Sequence, residues 1–404
     1  LYRKKILLIS QHFYPEIGSA ANRLKNIYLE LKEKNYEVKV LTLQPRYPSR
    51  ELYEDKSFWN EPLMDESDFI RIDPSIKTHS GNIVKRLYLY IEVMIRFIFS
   101  ILLLRKEYDA VFVTSPPIFV GVAGLIAKWK LKAPLIVDIR DLWPESLTGV
   151  KLFTNRFILN TAYKVEEILY KKADRIIVNS LSFVNYMTGK GVPKEKISFM
   201  PNSLTEEELN GNEPVVKSEG DHVNVIYTGN LGMAQDIQKL IKVIEKMKDE
   251  SKVRFIILGY GYHSNDLQRI INEKNLTNVT IHSAKSRKET LDLVSNSDIA
   301  YVSLVDQDVF KTVLPGKIID YMCVKKPIIG DVSGYASDII RSADCGIVSD
   351  VNTVEELVKN ITILANDRAL RKQYGENGYN YAFENLRWKT NISVLTRLLE
   401  EIHE

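Results

Sequence analysis

The sequence has little cysteine: its 404 residues include only Cys323 and Cys345. Two thiols cannot build a disulfide framework, and these two show no metal-ligand spacing, so a reducing cytoplasm is the expected compartment. A secretory leader is not expected either, because the apolar run after Arg3-Lys4-Lys5 is too short for one and reads as a strand. The chain also lacks a strong charge of one sign, with a net charge of only +3. With 45% apolar and 26% charged residues the composition is globular, which excludes disordered and fibrous chains. The small net charge conceals an asymmetry. Residues 1–205 hold 31 basic and 22 acidic residues, whereas 206–404 hold 24 and 30. A basic first half favours anionic surfaces or ligands, such as a membrane face or a lipid diphosphate; uneven surface charge without any partner is the plainer alternative.

The length is too great for one ordinary core and favours two domains of roughly 150–200 residues each. Ile6-Leu7-Leu8-Ile9 is a short all-apolar run, as expected of a parallel strand buried on both faces. The loop Gln11 to Ala21 then enters a helix with Leu24, Ile27, Tyr28 and Leu31 at i, i+3, i+4 and i+7, and Val38–Leu41 follows as a second strand. Small residues around Gly18 at the helix start would let a ligand approach the backbone; a tight turn explains that glycine nearly as well. Pro45 to Asp68 reads as a long irregular loop, functional or mobile, before a strand at Phe69–Ile72.

Leu87 to Leu104 is almost wholly apolar between Lys85-Arg86 and Arg105-Lys106, which raises the question of a membrane crossing. Glu92, Arg96 and Ser100 form a narrow polar stripe with an internal ion pair, and the flanking strands belong to one sheet. A buried helix is therefore expected, with a membrane-dipping helix on basic flanks as the alternative. Strands at 109–113 and 134–139 follow, the latter ending in Arg140-Asp141-Leu142-Trp143-Pro144-Glu145-Ser146. In open α/β sheets ligands sit beyond the carboxyl ends of strands, so Arg140, Asp141 and Glu145 are candidate site residues, against a salt-bridged helix cap.

Residues 206–221 are polar, with Gly211, Asn212, Pro214 and Gly220, and read as an interdomain linker. The alternation of strand and helix then restarts. Thr228-Gly229-Asn230-Leu231-Gly232 and Gly259-Tyr260-Gly261 read as glycine loops after strands, each a weak nucleotide signal alone. Val313 to Ile329 runs from Pro315-Gly316 into a short helix. Unpaired N–H groups at such a helix start can hold a diphosphate, with Lys317 beside it, and Asp320 one turn on can accept two ribose hydroxyls. Arg387 to Glu404 reads as a C-terminal helix.

Four motifs occur in order: Pro15-Glu16-Ile17-Gly18-Ser19-Ala20-Ala21-Asn22-Arg23, Asp141-Leu142-Trp143-Pro144-Glu145-Ser146, Tyr227-Thr228-Gly229-Asn230-Leu231-Gly232 and Pro315-Gly316-Lys317. Together they resemble the bacterial family-4 retaining glycosyltransferases, in the branch serving capsule and O-antigen assembly that includes N-acetylfucosamine-type aminosugar transferases. The resemblance spans nearly the whole chain. It implies an α/β GT-B fold of two Rossmann-like, doubly wound domains facing each other across a cleft: an acceptor domain at 1–205, a linker at 206–221, a donor domain at 222–385, and a terminal helix at 386–404 packing back towards the first domain. It further implies a UDP-sugar donor bound by Gly18, Gly229, Asn230, Gly259, Gly261, Arg287, Thr312, Gly316, Lys317 and Asp320. The implied acceptor is a polyprenyl-diphosphate-linked saccharide met at the inner face of the plasma membrane, through the basic first domain and helix 87–104. No metal, other cofactor or nucleic acid is expected.

The family pattern is not complete in this sequence. Its first donor carboxylate falls on Thr312, its usual Arg and Lys on Asn230 and Gln235, and its first-domain His on Arg140. Diphosphate binding would then lean on Lys317, Arg287 and helix starts, with Asp141 or Glu145 positioning the acceptor. Asp306-Gln307-Asp308 matches an Asp-x-Asp metal pattern of other glycosyltransferases, but a solvated loop is the favoured reading. Two further classes share the fold: UDP-sugar 2-epimerases, which would yield an epimer without any acceptor, and a non-catalytic scaffold, which would release no UDP.

Overall fold

Every pairing of neighbouring strands is parallel, as uninterrupted apolar runs buried on both faces require. The computed structural model describes residues 3–76, 83–150, 155–211, 222–349, 351 and 353–402. The chain divides into two compact units, one of Leu1–Asn202 with Trp388–Glu404, the other of Ser203–Arg387.

Among the described residues the first unit holds seven strands: β1 (Lys5–Ile9), β2 (Glu37–Leu43), β3 (Phe69–Ile72), β4 (Ala110–Ser115), β5 (Leu135–Ile139), β6 (Arg175–Val178) and β7 (Ile197–Phe199). Their order is β3-β2-β1-β4-β5-β6-β7. The order reverses between β1 and β4, so the loops leaving those strands flank the crevice where doubly wound sheets bind ligands. The helix Ser19–Glu33 buries Leu24, Ile27, Tyr28 and Leu31 against this sheet. Trp388, Ile392, Leu395, Leu398 and Leu399, from the short helices Trp388–Asn391 and Ser393–Glu401, join the same core.

Among the described residues the second unit holds six: β8 (Val223–Asn230), β9 (Val253–Tyr260), β10 (Val279–His282), β11 (Ile299–Ser303), β12 (Ile328–Asp331) and β13 (Gly346–Val348), in the order β10-β9-β8-β11-β12-β13. Here the reversal lies between β8 and β11. Strands β8 and β9 run further than the sequence reading placed them, and pair Gly229 with Gly259 and Asn230 with Tyr260. Gly229, Asn230 and Gly259 are thus strand ends, not free loop.

Three further readings need correction. Residues 206–210, expected in a linker, form the helix Glu206–Asn210, started by a reciprocal capping box between Thr205 and Glu208. It buries Leu209 and is tied by Glu206 to Arg387 at 2.9 Å, inside the second unit; residues 212–221 of the expected linker lie outside the described residues. Pro45 to Asp68 is not irregular: it holds three 3-10 turns, Glu51–Glu54, Lys56–Trp59 and Glu66–Asp68. Aromatic residues cause this, since Tyr53 and Phe58 are buried, Trp59 Nε1 donates to Tyr53 O at 2.9 Å, and the Glu61 N–H donates to Tyr14 Oη at 3.1 Å. The apolar helix spans Ile83–Leu103 and is buried on one side only. Leu89, Val93, Phe97 and Ile101 face the core, and the helix packs on Ile118–Leu131. Val84, Tyr88, Ile91, Ile95, Phe99 and Leu102 are exposed along the other side. Among the described residues no helix is long and apolar enough to cross a membrane.

One buried ion pair fixes the carboxyl edge of the first sheet. Arg23 and Asp138 are 1% and 0% exposed, with Nη2 to Oδ1 at 2.7 Å. The same guanidinium donates to Pro201 O at 3.1 Å and Met200 O at 3.0 Å, while Thr114 Oγ1 donates to Asp138 Oδ2 at 3.3 Å. Asp138→Ala would leave Arg23 charged and unpaired in the core, so a loss of about 3–5 kcal/mol is expected in urea unfolding; a loss below about 1 kcal/mol would show that the pair does not hold this edge.

Candidate functional site

In the second unit the predicted residues gather around Lys317. It is the second residue of the helix Gly316–Cys323, whose N-terminus follows Pro315 with no side-chain cap. First-turn N–H groups at such an end are available to an anion. Lys317 Nζ is buried, has no hydrogen-bond partner, and lies 3.7 Å from the centroid of the Tyr227 ring. The ring returns only part of the lost hydration. Burial accordingly pushes the Lys317 pKa down to about 7, with Asp320 opposing. Gly229 stands alongside at a φ of +100°, and a Cβ there would lie 3.8 Å from Lys317 Cε. The missing side chain keeps the backbone beside the ammonium open.

Asp320 sits on the same helix, and its Oδ1 lies 2.8 Å from Arg287 Nη2. Arg287 Nε lies 2.6 Å from Glu208 Oε1. Burial works against the Arg287 charge, but Asp320 and Glu208 outweigh it and raise its pKa well above the usual value. Arg287, expected as a diphosphate ligand, is engaged by two carboxylates instead. The glycines at the strand ends also serve the fold: a Cβ on Gly261 would lie 2.3 Å from Asn230 Oδ1, and one on Gly259 would lie 2.6 Å from Leu231 Cδ1. Asn230 is exposed, with its side-chain amide over Gly232 and Gly261. Thr312 closes the 3-10 turn Asp308–Thr312, its hydroxyl donating to Val309 O at 2.5 Å. Asp306 and Asp308 are solvated and share Lys311, at 3.4 Å and 2.9 Å. Among the described residues no group of three or more His, Cys, Asp or Glu could hold a metal ion.

In the first unit Gly18 is the N-cap of Ser19–Glu33 at a φ of 111°, again without a side-chain cap. Arg140 follows β5; its Nε donates to Thr114 Oγ1 at 2.6 Å and its Nη2 to Pro116 O at 2.7 Å. Burial lowers its pKa to about 10, with Asp138 opposing and Arg23 adding to the fall. Asp141 Oδ1 is buried with no hydrogen-bond partner, and burial raises the pKa of this carboxyl. Glu145 is occupied differently. Tyr186 Oη donates to it at 3.3 Å and to the buried Glu166 at 3.1 Å, and Lys190 Nζ reaches Glu166 at 2.5 Å. Ser146, Arg140 and the Leu142 N–H oppose the rise at Asp141, and of the three residues expected here it is the one that keeps a carboxylate oxygen, Oδ1, without a hydrogen-bond partner.

Several residues escaped the sequence reading. Glu16 is buried; its Oε1 accepts from the N–H groups of Arg46 at 2.8 Å and Tyr47 at 3.1 Å, and its Oε2 lies 2.6 Å from His12 Nδ1. His12 is thereby held at the carboxyl end of β1. Both lie in the quoted loop four residues apart, but no local signal distinguishes this carboxylate from a solvated one. In the second unit Asp331, at the end of β12, accepts from Lys239 at 2.8 Å and Ser303 at 3.0 Å. Glu208 had a local signal, the Thr205-x-x-Glu208 capping box.

Comparison with known proteins agrees with both units. The family described as Glycosyl transferase 4-like domain matches residues 18–203, and that described as Glycosyl transferases group 1 matches residues 212–381. An uncharacterized glycosyltransferase of Methanocaldococcus jannaschii is 22% identical over 286 residues, 69% of this chain and 71% of its own. A protein of Escherichia coli K12 described as "putative colanic acid biosynthesis glycosyl transferase WcaI" is 21% identical over 333 residues, covering 79% of this chain and 81% of its own. Among solved structures, Anabaena HepE in complex with UDP and glucose superposes with a TM-score of 0.73 at 14% identity, covering 99% of this chain and 100% of that one. With a family-4-like first half, a group-1 second half and two parallel Rossmann-like sheets, the chain belongs to the family-4 glycosyltransferases of GT-B type.

Proposed function

We propose that this glycosyltransferase moves a sugar, an N-acetylated aminosugar or 6-deoxy-aminosugar, from a UDP-sugar to a polyprenyl-diphosphate-linked saccharide in capsule or O-antigen assembly, with retention at the anomeric carbon. The observation that carries the donor half is Lys317: a buried ammonium with no hydrogen-bond partner, at an uncapped helix start beside Gly229. A diphosphate supplies the missing counter-charge, and Asp320 on the same helix supplies an acceptor for ribose hydroxyls. HepE is a fold relative with UDP in its structure, and the description of WcaI names colanic acid biosynthesis, which supports the donor and the pathway class.

In this mechanism the bond from the anomeric carbon to the diphosphate oxygen breaks on the face where the acceptor hydroxyl forms its new bond. The hydroxyl proton passes to the departing diphosphate oxygen. Lys317 and the Gly316 helix start stabilise the charge that develops there. Asp141 positions the acceptor or stabilises the cationic sugar carbon. The exposed apolar side of Ile83–Leu103, with Lys85, Arg105 and Lys106 at its ends, docks on the anionic inner face of the membrane, where the lipid-linked acceptor resides.

A screen of UDP-sugars against a lipid-linked acceptor, scored by product mass, tests the assignment. Epimerised sugar without acceptor, or no UDP release with any pair, would sink it. Asp141→Asn should lower kcat on the order of a hundredfold or more while the melting temperature holds; unchanged turnover removes Asp141 from the site. Since burial brings the Lys317 pKa down to about 7, its amine is largely neutral above that pH in the free protein and must take up a proton when diphosphate arrives. UDP affinity should therefore fall by up to about tenfold per pH unit above neutrality, with proton uptake visible as buffer-dependent binding heat. A flat affinity profile would contradict the role given to Lys317. Ile95→Glu with Phe99→Glu, both at exposed positions, should abolish co-sedimentation with anionic vesicles and leave the fold intact. Vesicle binding that survives both changes refutes the docking face.

A further inference from the structure

Arg86 stands out among the basic residues that flank the apolar helix. Lys85 is exposed, whereas Arg86 is only partly so, and its Nε is buried with no hydrogen-bond partner. Its Nη2 donates to Tyr90 Oη at 3.3 Å, and among the described residues no carboxylate pairs with it. A guanidinium taken partly out of water, with an N–H unsatisfied, is unfavourable unless an anion completes it. Its surroundings belong to the ligand-facing edge of the first sheet. Arg86 acts electrostatically on the phenol of Tyr47, whose ring meets the His12 ring edge-on at 5.9 Å. Its partner Tyr90 stacks on Phe119 at 5.8 Å and meets Trp143 edge-on at 5.7 Å. His12 follows β1, Phe119 follows the β4 exit, and Trp143 lies between Asp141 and Glu145. The apolar stripe on the outside of the same helix begins at Val84, two residues before Arg86.

We propose that Arg86 anchors the diphosphate of the prenyl-lipid acceptor, holding it where the membrane-facing helix meets the acceptor loops. This rests on the acceptor reading above and assigns it a residue. The planar guanidinium suits bidentate contact with phosphate oxygens, which a lysine ammonium cannot reproduce. The lipid chain leaves along the exposed stripe, and the saccharide extends towards the Trp143 loop. Arg86 is therefore a ligand-binding group, not one more surface cation for anionic lipid.

The test is calorimetric titration of the full-length protein with undecaprenyl diphosphate in neutral detergent micelles, and separately with inorganic pyrophosphate. Arg86→Gln should weaken undecaprenyl diphosphate binding by at least about tenfold, Arg86→Lys should weaken it less, and Lys164→Gln, at an exposed position on the helix Arg156–Lys172, should leave it unchanged. Pyrophosphate should bind wild type more weakly than the lipid and lose the same contact in Arg86→Gln. If Arg86→Gln unfolds, Arg86→Lys against wild type carries the comparison. Equal affinity in Arg86→Gln and wild type, or a parallel loss of binding to anionic vesicles without diphosphate lipid, overturns the anchor. Transfer to a lipid-linked acceptor with an unchanged KM in Arg86→Gln refutes the anchor and leaves the transferase reading standing. Undecaprenyl diphosphate bound through Arg86 with no sugar transferred does the reverse.

Discussion

The ion pair between Arg23 and Asp138 is the constraint on which the first unit depends. It joins the first helix, the end of β5 and the chain beyond β7, three segments far apart in sequence, and the Arg23 guanidinium also lies 5.7 Å from the Trp388 ring. Asp138 is two residues from Arg140 and three from Asp141, so this pair sets where the candidate site begins. It also sets the local charge. Arg23 and Arg140 both act on the single buried carboxylate of Asp138, and Thr114 connects them through its hydroxyl. Two guanidiniums thus share one carboxylate, and Asp141 is the next acidic group that acts on Arg140.

The second unit solves the same problem by a different arrangement. Lys317, with its Nζ buried, is left without a hydrogen-bond partner, while Arg287 is held by Glu208 and Asp320. Had both been paired, no counter-charge would be wanted; had neither been, the cluster would be too unfavourable to fold. The division leaves one charge for a ligand and uses the other to fix the carboxylate beside it. Glycine has a corresponding division of tasks. Gly229 opens the backbone towards the ammonium, whereas Gly259 and Gly261 admit Leu231 and Asn230.

The parallel sheets were legible because strands buried on both faces must be apolar throughout, and Ile6–Ile9 or Ile299–Ser303 admit few other readings. Strand ends were less legible. Gly229 and Gly259 look like loop in isolation and become strand only through pairing with each other, a contact between residues thirty positions apart. The helix Glu206–Asn210 was obscured by its polar composition, although its capping box was readable in Thr205 and Glu208. The short helix that carries Lys317 and Asp320 was legible from Pro315-Gly316 before it. The pairing of Arg287, the closed hydroxyl of Thr312 and the occupied state of Glu145 were not, since each depends on partners fixed only by the tertiary fold. The same holds for the inward turn of Arg86, which in sequence is indistinguishable from Lys85 beside it.

The bond between Arg287 and Asp320 has a consequence for how a nucleotide would be received. A lone aspartate on a helix surface samples several rotamers, and a ribose must select one of them on binding. With Oδ1 held at 2.8 Å by a guanidinium that is itself held by Glu208, Asp320 has one orientation before any ligand arrives. The entropy of ordering that carboxylate is lost when the chain folds, not when the nucleotide docks. Each hydrogen bond to it is correspondingly weaker, because the charge is already shared. The carboxylate is a receptor whose shape is settled in advance of any hydroxyl that meets it.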